Sequence, residues 1–424
     1  MAPPRTTYRE VLADARFRVV FGSRTLAVMG DALRTVALSV LVLEATGSAF
    51  LAAVTYGIAF LPQAVGGVLL GSLADTVRPR RVIGGAYLLE CGVAAVLALG
   101  HLPVSAALAL IAVVATFAPI LAGASYRVVA DALEGDAYVL GRSLLTIATA
   151  AAQIAGLAVG GLAVAAVGAR DALLVAAAAH LVAALAVRLR LPDLPAGRAT
   201  GASPVRASVA ANRSLLADRR VRLLLLAQWL PPGFATGAES LVIPFAADRG
   251  ASPGLAAVVL AALPAGMIAG DLLVGRLLRP ATRERLVGPL LAVLALPLVP
   301  FALGPPVGAM AALLFASGAG CAYTLGLQRP FLDALPGGDR GLAFGLLSAG
   351  LMTVQGVGPL VLGAATELVP VGVVIAGAGA AILVTALPLR AAGAAPGDRS
   401  ASAAARRRAA PADRAAPPPS GSRG

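Results

Sequence analysis

Two ionisable residues stand one helical turn apart in an otherwise apolar stretch near the start of the chain. Asp31 and Arg34 are spaced i, i+3, so both lie on one face of a helix. A carboxylate beside a guanidinium can take up and release a proton, and Arg34 would tune the proton affinity of Asp31. The alternative is a structural ion pair whose charges neutralise each other. The spacing therefore predicts either a proton-coupling site or a buried salt bridge.

Signatures of other chemistry are missing from the sequence. Cys91 and Cys321 each stand alone in an apolar run, which is typical of small buried residues, so neither a disulfide nor a metal cluster is predicted. There is no nucleotide-binding loop and no Ser, His and Asp set suited to hydrolysis. We therefore expect a protein that is not an enzyme and has no catalytic residues, no metal and no cofactor.

The elements that hold Asp31 and Arg34 must be membrane-spanning helices. Of the 424 residues, 58% are apolar and 13% charged, whereas soluble domains are roughly 45–50% apolar and 25% charged. A helix needs roughly 20 apolar residues to cross a bilayer. Four charge-free runs have this length, and two longer runs are broken by turn signals at Leu102-Pro103 and Gly304-Pro305-Pro306, which predicts helical hairpins. The six runs are residues 45–74, 143–169, 341–366, 368–389, 91–126 and 286–328.

These runs predict an all-α membrane protein of about twelve transmembrane helices in two six-helix halves. We expect a cytoplasmic N-terminal segment at 1–18, bundles at 19–189 and 222–390, a cytoplasmic central loop at 190–221 and a disordered cytoplasmic tail at 391–424. The predicted helices are 19–43, 51–74, 82–101, 104–127, 141–167, 171–189, 222–246, 253–278, 286–303, 308–329, 342–366 and 369–389.

The arginines predict the orientation. All 34 basic residues are Arg, and a cytoplasmic N-terminus assigns 30 of them to cytoplasmic segments. Only Arg170 and Arg249 then fall in external loops, and Arg24 and Arg34 lie within the first helix. This asymmetry follows the positive-inside rule, so both termini are expected in the cytoplasm of a cell-membrane protein. The net charge of +13 is then a feature of membrane orientation, since cytoplasmic arginines are attracted to anionic lipid headgroups. Nucleic acid is not an expected partner.

The two halves repeat each other in sequence. The tetrapeptide LAAV at 51–54 recurs 204 residues later at 255–258, at the start of the second helix of each half. Because each half has six helices, the repeat is parallel, as expected when a central site lies between two halves that rock against each other. The other matches are Gly66, Gly71 and Leu73 with Gly270, Gly275 and Leu277, then Arg127, Asp131, Gln153, Gly156 and Gly161 with Arg329, Asp333, Gln355, Gly358 and Gly363.

The loop between the second and third helices carries a family resemblance. The segment Gly71-Ser72-Leu73-Ala74-Asp75-Thr76-Val77-Arg78-Pro79-Arg80-Arg81 resembles the signature loop of the major facilitator superfamily, and residues 15–390 resemble that family as a whole. The resemblance implies a gating latch at the cytoplasmic face, with Thr76 replacing the usual basic residue. We assign to it Gly71, Asp75, Arg78, Arg80 and Arg81, and place Asp271 of the eighth helix as either a gate or a packing ion pair.

A glycine-rich stretch in the fifth helix resembles a motif of drug antiporters. The stretch 153–161 has Leu157 where the family has Pro, and its glycines are equally suited to packing between the halves. The Arg-containing motif that many antiporters carry in the fourth helix is missing, since Thr116-Phe117-Ala118-Pro119 stands in that region. The resemblance to bacterial drug and metabolite efflux members is therefore partial.

The family fold also implies which polar residues face the central cavity, because helices one, four, seven and ten line it. Glu90 and His180 fall on the peripheral third and sixth helices, where we expect each to hydrogen-bond to a neighbour. Residues 231–233, Pro-Pro-Gly, are expected to break the seventh helix. The implied cavity and coupling residues are Asp31, Arg34, Gln228, Trp229, Glu239, Tyr323 and Gln328, and the repeat adds the cytoplasmic pairs Arg127 with Asp131 and Arg329 with Asp333.

The leading functional prediction is proton-coupled export of a small amphipathic compound. Sparse polar residues along the cavity favour lipophilic cargo over sugars, which need many hydrogen bonds to replace their hydration. The alternatives are uptake of a nutrient by the same fold, or a membrane receptor or assembly protein that does not transport. The expected partners are a small-molecule substrate and the lipid bilayer, and the protein is expected to be a monomer that uses the proton gradient.

Overall fold

The computed structural model describes residues 7–70, 77–195, 212–335 and 340–393. Within these ranges every regular element is a helix, which confirms the predicted all-α class. Signature-loop residues Gly71 and Asp75 lie outside the described residues, as do 196–211 of the predicted central loop and 394–424 of the predicted tail.

The described chain forms twelve long helical segments, which we label α1 to α12. Short helices at Tyr8–Ala13, 212–217 and Pro280–Arg285 lie between or before them. One run, Gly135–Arg190, has a non-helical residue at Gly168 (φ 84°, ψ 164°) and so supplies two segments. The segments are α1 Ala15–Thr46, α2 Ala49–Gly57 with Phe60–Leu70, α3 Pro79–Leu99, α4 Val104–Ala115 with Ala118–Ala132, α5 135–167, α6 169–190, α7 Arg219–Ser240 with Val242–Ala247, α8 Pro253–Leu277, α9 Val287–Ala295 with the 3-10 helix Leu296–Leu303, α10 Val307–Gly320 with Tyr323–Ala334, α11 Arg340–Ala365 and α12 Val371–Gly393.

The helices have the length and composition of membrane spans. In the described ranges, eight helices are long and apolar enough to cross a membrane, and 140–190 counts as one of them although Gly168 divides it. Val287–Leu303 and Val371–Thr385 are shorter apolar helices. Together with α7, whose first turns carry arginines, these helices are consistent with the predicted count of twelve.

Local sequence signals set the helix ends. Asp14 caps α1 by accepting hydrogen bonds from the backbone N–H groups of Arg16 and Phe17. Ser48 and Ser252 stand 204 residues apart and cap α2 and α8 in the same way, each accepting from the N–H three residues later. The repeat therefore extends to the residues that start its helices.

The seventh helix differs from its prediction. Pro231 and Pro232 were expected to break α7, but the helix continues through both from Arg219 to Ser240. A proline at 231 removes the N–H that would bond the carbonyl of Ala227. The hydroxyl of Tyr323 in α10 donates to that carbonyl at 3.0 Å, so the freed group keeps a partner and the helix is not interrupted.

Equivalent glycines make equivalent helix contacts in the two halves. A side chain at Gly161 of α5 would collide with Ala257 of α8, and one at Gly363 of α11 would meet Ala53 of α2 at 3.1 Å. These four residues are two repeat pairs, 202 and 204 residues apart. The α5–α8 and α11–α2 interfaces are thus related by the repeat, as the parallel arrangement requires.

The two halves meet at one face of the bundle. With twelve helices of alternating direction, the start of α1, the end of α6, the start of α7 and the end of α12 lie at a single face, which we call the terminal face. Gly161 and Gly363 lie far from it, near the ends of α5 and α11, and there Gly57 of α2 also abuts Pro359 of α11. The described state is therefore closed at the opposite face.

Candidate functional site

Four ionisable side chains from three helices meet inside the N-terminal half. Asp31 and Arg34 come from α1, Glu90 from the middle of α3, and His180 from the middle of α6. Apolar residues surround them on each helix, and Gly30 leaves room for the imidazole, since a Cβ there would lie 3.2 Å from His180 Nε2. We call these four residues the charged cluster.

Arg34 is the centre of the charged cluster. Its Nη2 lies 3.0 Å from Asp31 Oδ1, and its Nη1 donates a hydrogen bond to Glu90 Oε2. His180 Nε2 lies 3.4 Å from the same Asp31 oxygen. One guanidinium thus bridges two carboxylates on different helices, and the imidazole shares one of them. A proton added to either carboxylate would remove half of the negative charge that holds Arg34.

The four side chains of the charged cluster differ in how far they are exposed at the surface of the protein. The His180 side chain is fully buried, and those of Arg34 and Glu90 are 10% and 14% exposed. The Asp31 side chain is 45% exposed, although its Oδ1 atom is buried against its partners. Asp31 is therefore the most exposed member of the charged cluster.

The repeat shows that the fold itself does not require these charges. In the C-terminal half, the residues 204 positions after Asp31, Arg34 and Glu90 are Ala235, Ala238 and Leu294, and the residue 202 positions after His180 is Ile382. All four counterparts are buried and apolar. The same helix arrangement is therefore built without ions in one half.

The charged cluster also contains the ligand types of a metal site. One atom each from Asp31, Glu90 and His180 lies within 4.8 Å of the other two. Arg34 already supplies a cation to both carboxylates, and a metal would have to displace it. The donor set with Arg34 in place suits a proton better than a divalent ion.

Two residues predicted to line a cavity are instead engaged within the C-terminal half. Gln228 is buried and donates through Nε2 to the carbonyl of Leu224 one turn earlier at 3.1 Å. Tyr323 is fully buried and supplies the hydroxyl that completes α7. Their polar groups are therefore used by the helices in the described state.

The remaining predicted cavity residues of this half lie in different surroundings. Trp229 donates through Nε1 to the carbonyl of Leu347 in α11 at 2.9 Å, and its ring packs against Gly350. Gln328 of α10 is exposed. The seven predicted cavity residues thus do not form one constellation, and Asp31 with Arg34 are the two that belong to the charged cluster.

Glu239 lies between the halves. It is 7% exposed, and it interacts electrostatically with Tyr56 of α2, on the other half of the molecule. One carboxylate oxygen, Oε1, has no partner among the described residues. This contact lies near the closed face and joins the N-terminal and C-terminal halves.

The described part of the signature loop contacts its own half. Arg78 forms a salt bridge with Asp193, which follows α6, and Arg80 donates to the carbonyl of Arg188 at the end of α6. Arg81 is exposed, and Asp271 of α8 is exposed as well. The gating role assigned to these residues stays a prediction.

The repeat-related pairs that are predicted to be cytoplasmic adopt the same geometry. In Arg127 with Asp131, and again in Arg329 with Asp333, Nε lies 3.8 Å from Oδ2 across one helical turn. Arg127 also donates to the carbonyl of Pro195 at 2.7 Å, and Arg329 lies 4.0 Å from Glu284. Each pair joins the terminal-face end of its fourth helix to a neighbouring segment.

Glu90 and His180 were not predicted to belong to the site. They were assigned to peripheral helices and expected only to hydrogen-bond to a neighbour, whereas both contact the Asp31–Arg34 pair. A signal was present in the sequence, because each interrupts an apolar run at a position whose repeat counterpart is apolar.

Solved structures of several transporters share this fold. A peptide transporter POT in complex with sulfate aligns with a TM-score of 0.69 at 14% identity, over 92% of this chain and 96% of that one. The nucleoside transporter NupG aligns with a TM-score of 0.68 at 15% identity, over 88% and 99%. A bacterial homolog of the human lysosomal transporter Spinster, in an inward-facing and occupied conformation, gives 0.65 at 14% identity, over 87% and 92%. These identities establish a common fold and nothing finer.

Sequence comparison gives the family. No curated protein sequence matches the chain significantly. The sequence model of the Major Facilitator Superfamily matches residues 20–328, well over half of the chain. Together with two parallel six-helix halves, this match makes the chain a member of the Major Facilitator Superfamily.

Proposed function

We propose that this transporter exports a small amphipathic compound, such as a drug or metabolite, in exchange for protons by alternating access. The observation that carries the proposal is the charged cluster of Asp31, Arg34, Glu90 and His180 in the N-terminal half. Ionisable groups at membrane depth cost about 2.5–3.5 kcal/mol each on insertion scales and mark proton relays and ion pathways. The counterparts in the other half are apolar, so a structural need for these charges has no support from the repeat.

Coupling between proton and substrate movement would depend on Arg34, because its one guanidinium holds both carboxylates. With both carboxylates ionised, Arg34 bridges α1 and α3 and holds Asp31 beside His180 of α6. A proton delivered to the half-exposed Asp31 would release one arm of that bridge. The position of α1 relative to α3 and α6 then depends on protonation, which is the differential interaction that a two-state transporter needs.

The glycine-rich stretch of α5 provides a surface for the rocking motion. Gly156 lies against the backbone of Met29 in α1, and Gly161 lies against Ala257 and Gly254 of α8. Small residues let the backbones approach closely and leave little side-chain interdigitation to undo. The stretch that resembles the antiporter motif therefore contacts both the helix of the charged cluster and the opposite half.

An amphipathic substrate fits the scarcity of free polar groups. The side-chain donors of Gln228, Trp229 and Tyr323 bond to backbone carbonyls of the helices around them. A strongly hydrated substrate would find few groups to replace its water. The export direction rests on the resemblance of residues 153–161 to antiporters, and nutrient uptake is the alternative for the same fold.

The cellular setting completes the proposal. We place the transporter in the cell membrane as a monomer with both termini in the cytoplasm, because 30 of the 34 arginines then lie on the cytoplasmic side. The proton gradient would be the energy source, and no bound cofactor would be needed.

The proposal is tested with purified protein in proteoliposomes under an imposed pH gradient, using a panel of fluorescent cationic dyes. We expect dye movement against its gradient, coupled to proton movement in the opposite direction, and loss of the pH dependence in Asp31→Asn. Asp171→Asn, an exposed residue at the opposite face, is the matched control and should behave as wild type.

Two results would overturn the proposal. Substrate and protons moving in the same direction would establish uptake. Folded protein that binds dyes but carries none, under any gradient, would favour a receptor or assembly protein without transport.

A further inference from the structure

An open groove lies between α3 and α6 near the terminal face of the N-terminal half. Its volume is about 480 Å³, within the range of small-ligand sites. It belongs to neither the charged cluster nor the contacts between the halves. Polar residues line the end at the terminal face, and small and apolar residues line the part deeper along the helices. The lining is Arg80, Arg81, Arg188 and Asp193, followed by Gly84, Gly85, Leu88, Ala184 and Leu185.

The polar end of the groove has a positive charge. Its one carboxylate, Asp193, is paired with Arg78, and Arg80 bonds a backbone carbonyl that carries no formal charge. Among the described residues, no acidic side chain forms a salt bridge with Arg80, Arg81 or Arg188. The start of α3 adds the positive end of its helix dipole, since its N-cap residue makes no side-chain cap.

The deeper part of the groove is apolar and open to the outside of the bundle. Leu88 and Leu185 are each 44% exposed, on helices that cross the membrane. A Cβ built at Gly85 would meet no atom within 4 Å, so the glycine leaves a free channel between the two leucines. In a bilayer, this channel faces hydrocarbon.

We propose that the groove binds one anionic phospholipid of the leaflet at the terminal face. The phosphate and its anionic headgroup would lie against Arg80, Arg81 and Arg188, and one acyl chain would follow the channel at Gly85. The cationic end of the groove suits the phosphate of a lipid, and the apolar channel suits its acyl chain. A soluble phosphate would use only the cationic end. Basic pockets between transmembrane helices are suited to such headgroups.

The headgroup end is tested by native mass spectrometry of the full chain with phosphatidylglycerol and phosphatidylcholine of equal chain length. We expect preferential retention of phosphatidylglycerol and a loss of affinity of about fivefold for each arginine changed to Gln among Arg80, Arg81 and Arg188. The control changes three exposed arginines at the terminal face of the other half and should leave affinity within about twofold. These are Arg276, Arg279 and Arg285. Equal losses in both triple variants would refute a specific site.

The apolar channel is tested by Gly85→Leu, which fills it without a clash because the position is open. We expect this variant to lose bound phosphatidylglycerol although all three arginines remain. Gly377→Leu, at another exposed helical glycine with no atom near its Cβ, is the matched control. Each variant must elute as monodisperse protein before its lipid binding is scored.

Competition separates the possible sources of the anion. Soluble glycerol phosphate at millimolar concentration should not displace the lipid. Displacement by it, or retention of phosphatidylglycerol by Gly85→Leu, would overturn the lipid proposal in favour of a soluble phosphate site. A Gly85→Leu protein that changes from dimer to monomer without any change in bound lipid would instead identify the groove as a contact between two copies of the chain.

Discussion

Replacing the charged cluster by the residues of the other half should separate its function from its structural role. The fourfold variant is Asp31→Ala, Arg34→Ala, Glu90→Leu and His180→Ile, which are the residues found at the equivalent positions of the C-terminal half. The comparison is Arg34→Ala alone. Both variants remove Arg34, but only the single variant leaves two carboxylates behind.

The expected changes in the free energy of unfolding follow from how deeply each charged side chain is buried. Breaking a buried ion pair by removing one partner costs about 3–5 kcal/mol, because the other charge stays buried without compensation. In Arg34→Ala this penalty comes mainly from Glu90, whose side chain is 14% exposed, since Asp31 is 45% exposed and partly screened. Replacing a whole buried ionic group by apolar residues of similar volume is often neutral or stabilising by about 1–4 kcal/mol, and the space left by Arg34→Ala is common to both variants. The single variant should therefore be less stable than the fourfold variant by about 3 kcal/mol or more.

The assay combines unfolding with transport. Denaturant unfolding in a fixed detergent, followed by the fluorescence of Trp229, compares the two variants at a site distant from the changes. Proteoliposomes then measure pH-driven transport. We expect the fourfold variant to fold, to bind substrate and to exchange substrate in both directions, and to lose accumulation against a substrate gradient. An Arg34→Ala protein as stable as the wild type would refute the burial argument. A fourfold variant that still accumulates substrate under a pH gradient would refute the coupling role, and one that fails to fold would assign the charged cluster to structure.

Three further predictions use other parts of the chain. Tyr323→Phe removes the donor that completes α7, so unfolding in detergent should show a loss of about 1–3 kcal/mol; unchanged stability would mean that another group bonds the carbonyl of Ala227. Reporter fusions after residues 220 and 395 should both behave as cytoplasmic, and an external signal from either would contradict the arginine-based orientation. Asp75→Asn should slow vesicle transport while leaving expression and substrate binding largely intact, and undiminished turnover would rule out the latch.

Much of the fold could be predicted because its signals are local. Apolar runs of bilayer length gave the spans, and Ser48 and Ser252 stand where capping chemistry requires a helix to begin. The repeat gave the pairing of the halves, because Gly161 and Gly363 recur at the spacing that the structure converts into equivalent interfaces. Periodicity, caps and small residues act within a few positions, so one sequence is enough to read them.

The charged cluster could not be assembled from local signals. Glu90 is 56 residues from Arg34, and His180 is further still, so only the tertiary arrangement of α1, α3 and α6 brings their side chains together. The break expected at Pro231 was wrong for the same reason. Its compensation comes from Tyr323, whose hydroxyl reaches a carbonyl 96 residues away in sequence. The prolines in the sequence indicate that a backbone carbonyl loses its helical hydrogen bond, but the sequence could not identify Tyr323 as the donor that replaces it.

Comparing the two halves separates the requirements of the scaffold from those of the chemistry. Where both halves keep the same residue, as at Gly161 and Gly363, the contact is one that the fold needs twice. Where the two halves carry different residues at equivalent positions, each half shows that the helix arrangement can form with its own residue. Position 35 illustrates this, since Thr35 donates to the backbone of Asp31 at 2.9 Å, whereas its counterpart Glu239 interacts electrostatically with Tyr56 across the halves.

The asymmetry therefore assigns different tasks to the halves. The N-terminal half concentrates two carboxylates, a guanidinium and an imidazole on α1, α3 and α6, away from the closed contact between the halves. The C-terminal half keeps those positions apolar and instead sends one carboxylate, Glu239, to the closed face. Under the proposed mechanism, a proton bound at the charged cluster can influence the closed face through α1, because α1 packs against α5 at Gly156, and Gly161 of α5 forms the contact with α8. Coupling by rigid helix motion is thus the route that this arrangement of charges and glycines favours.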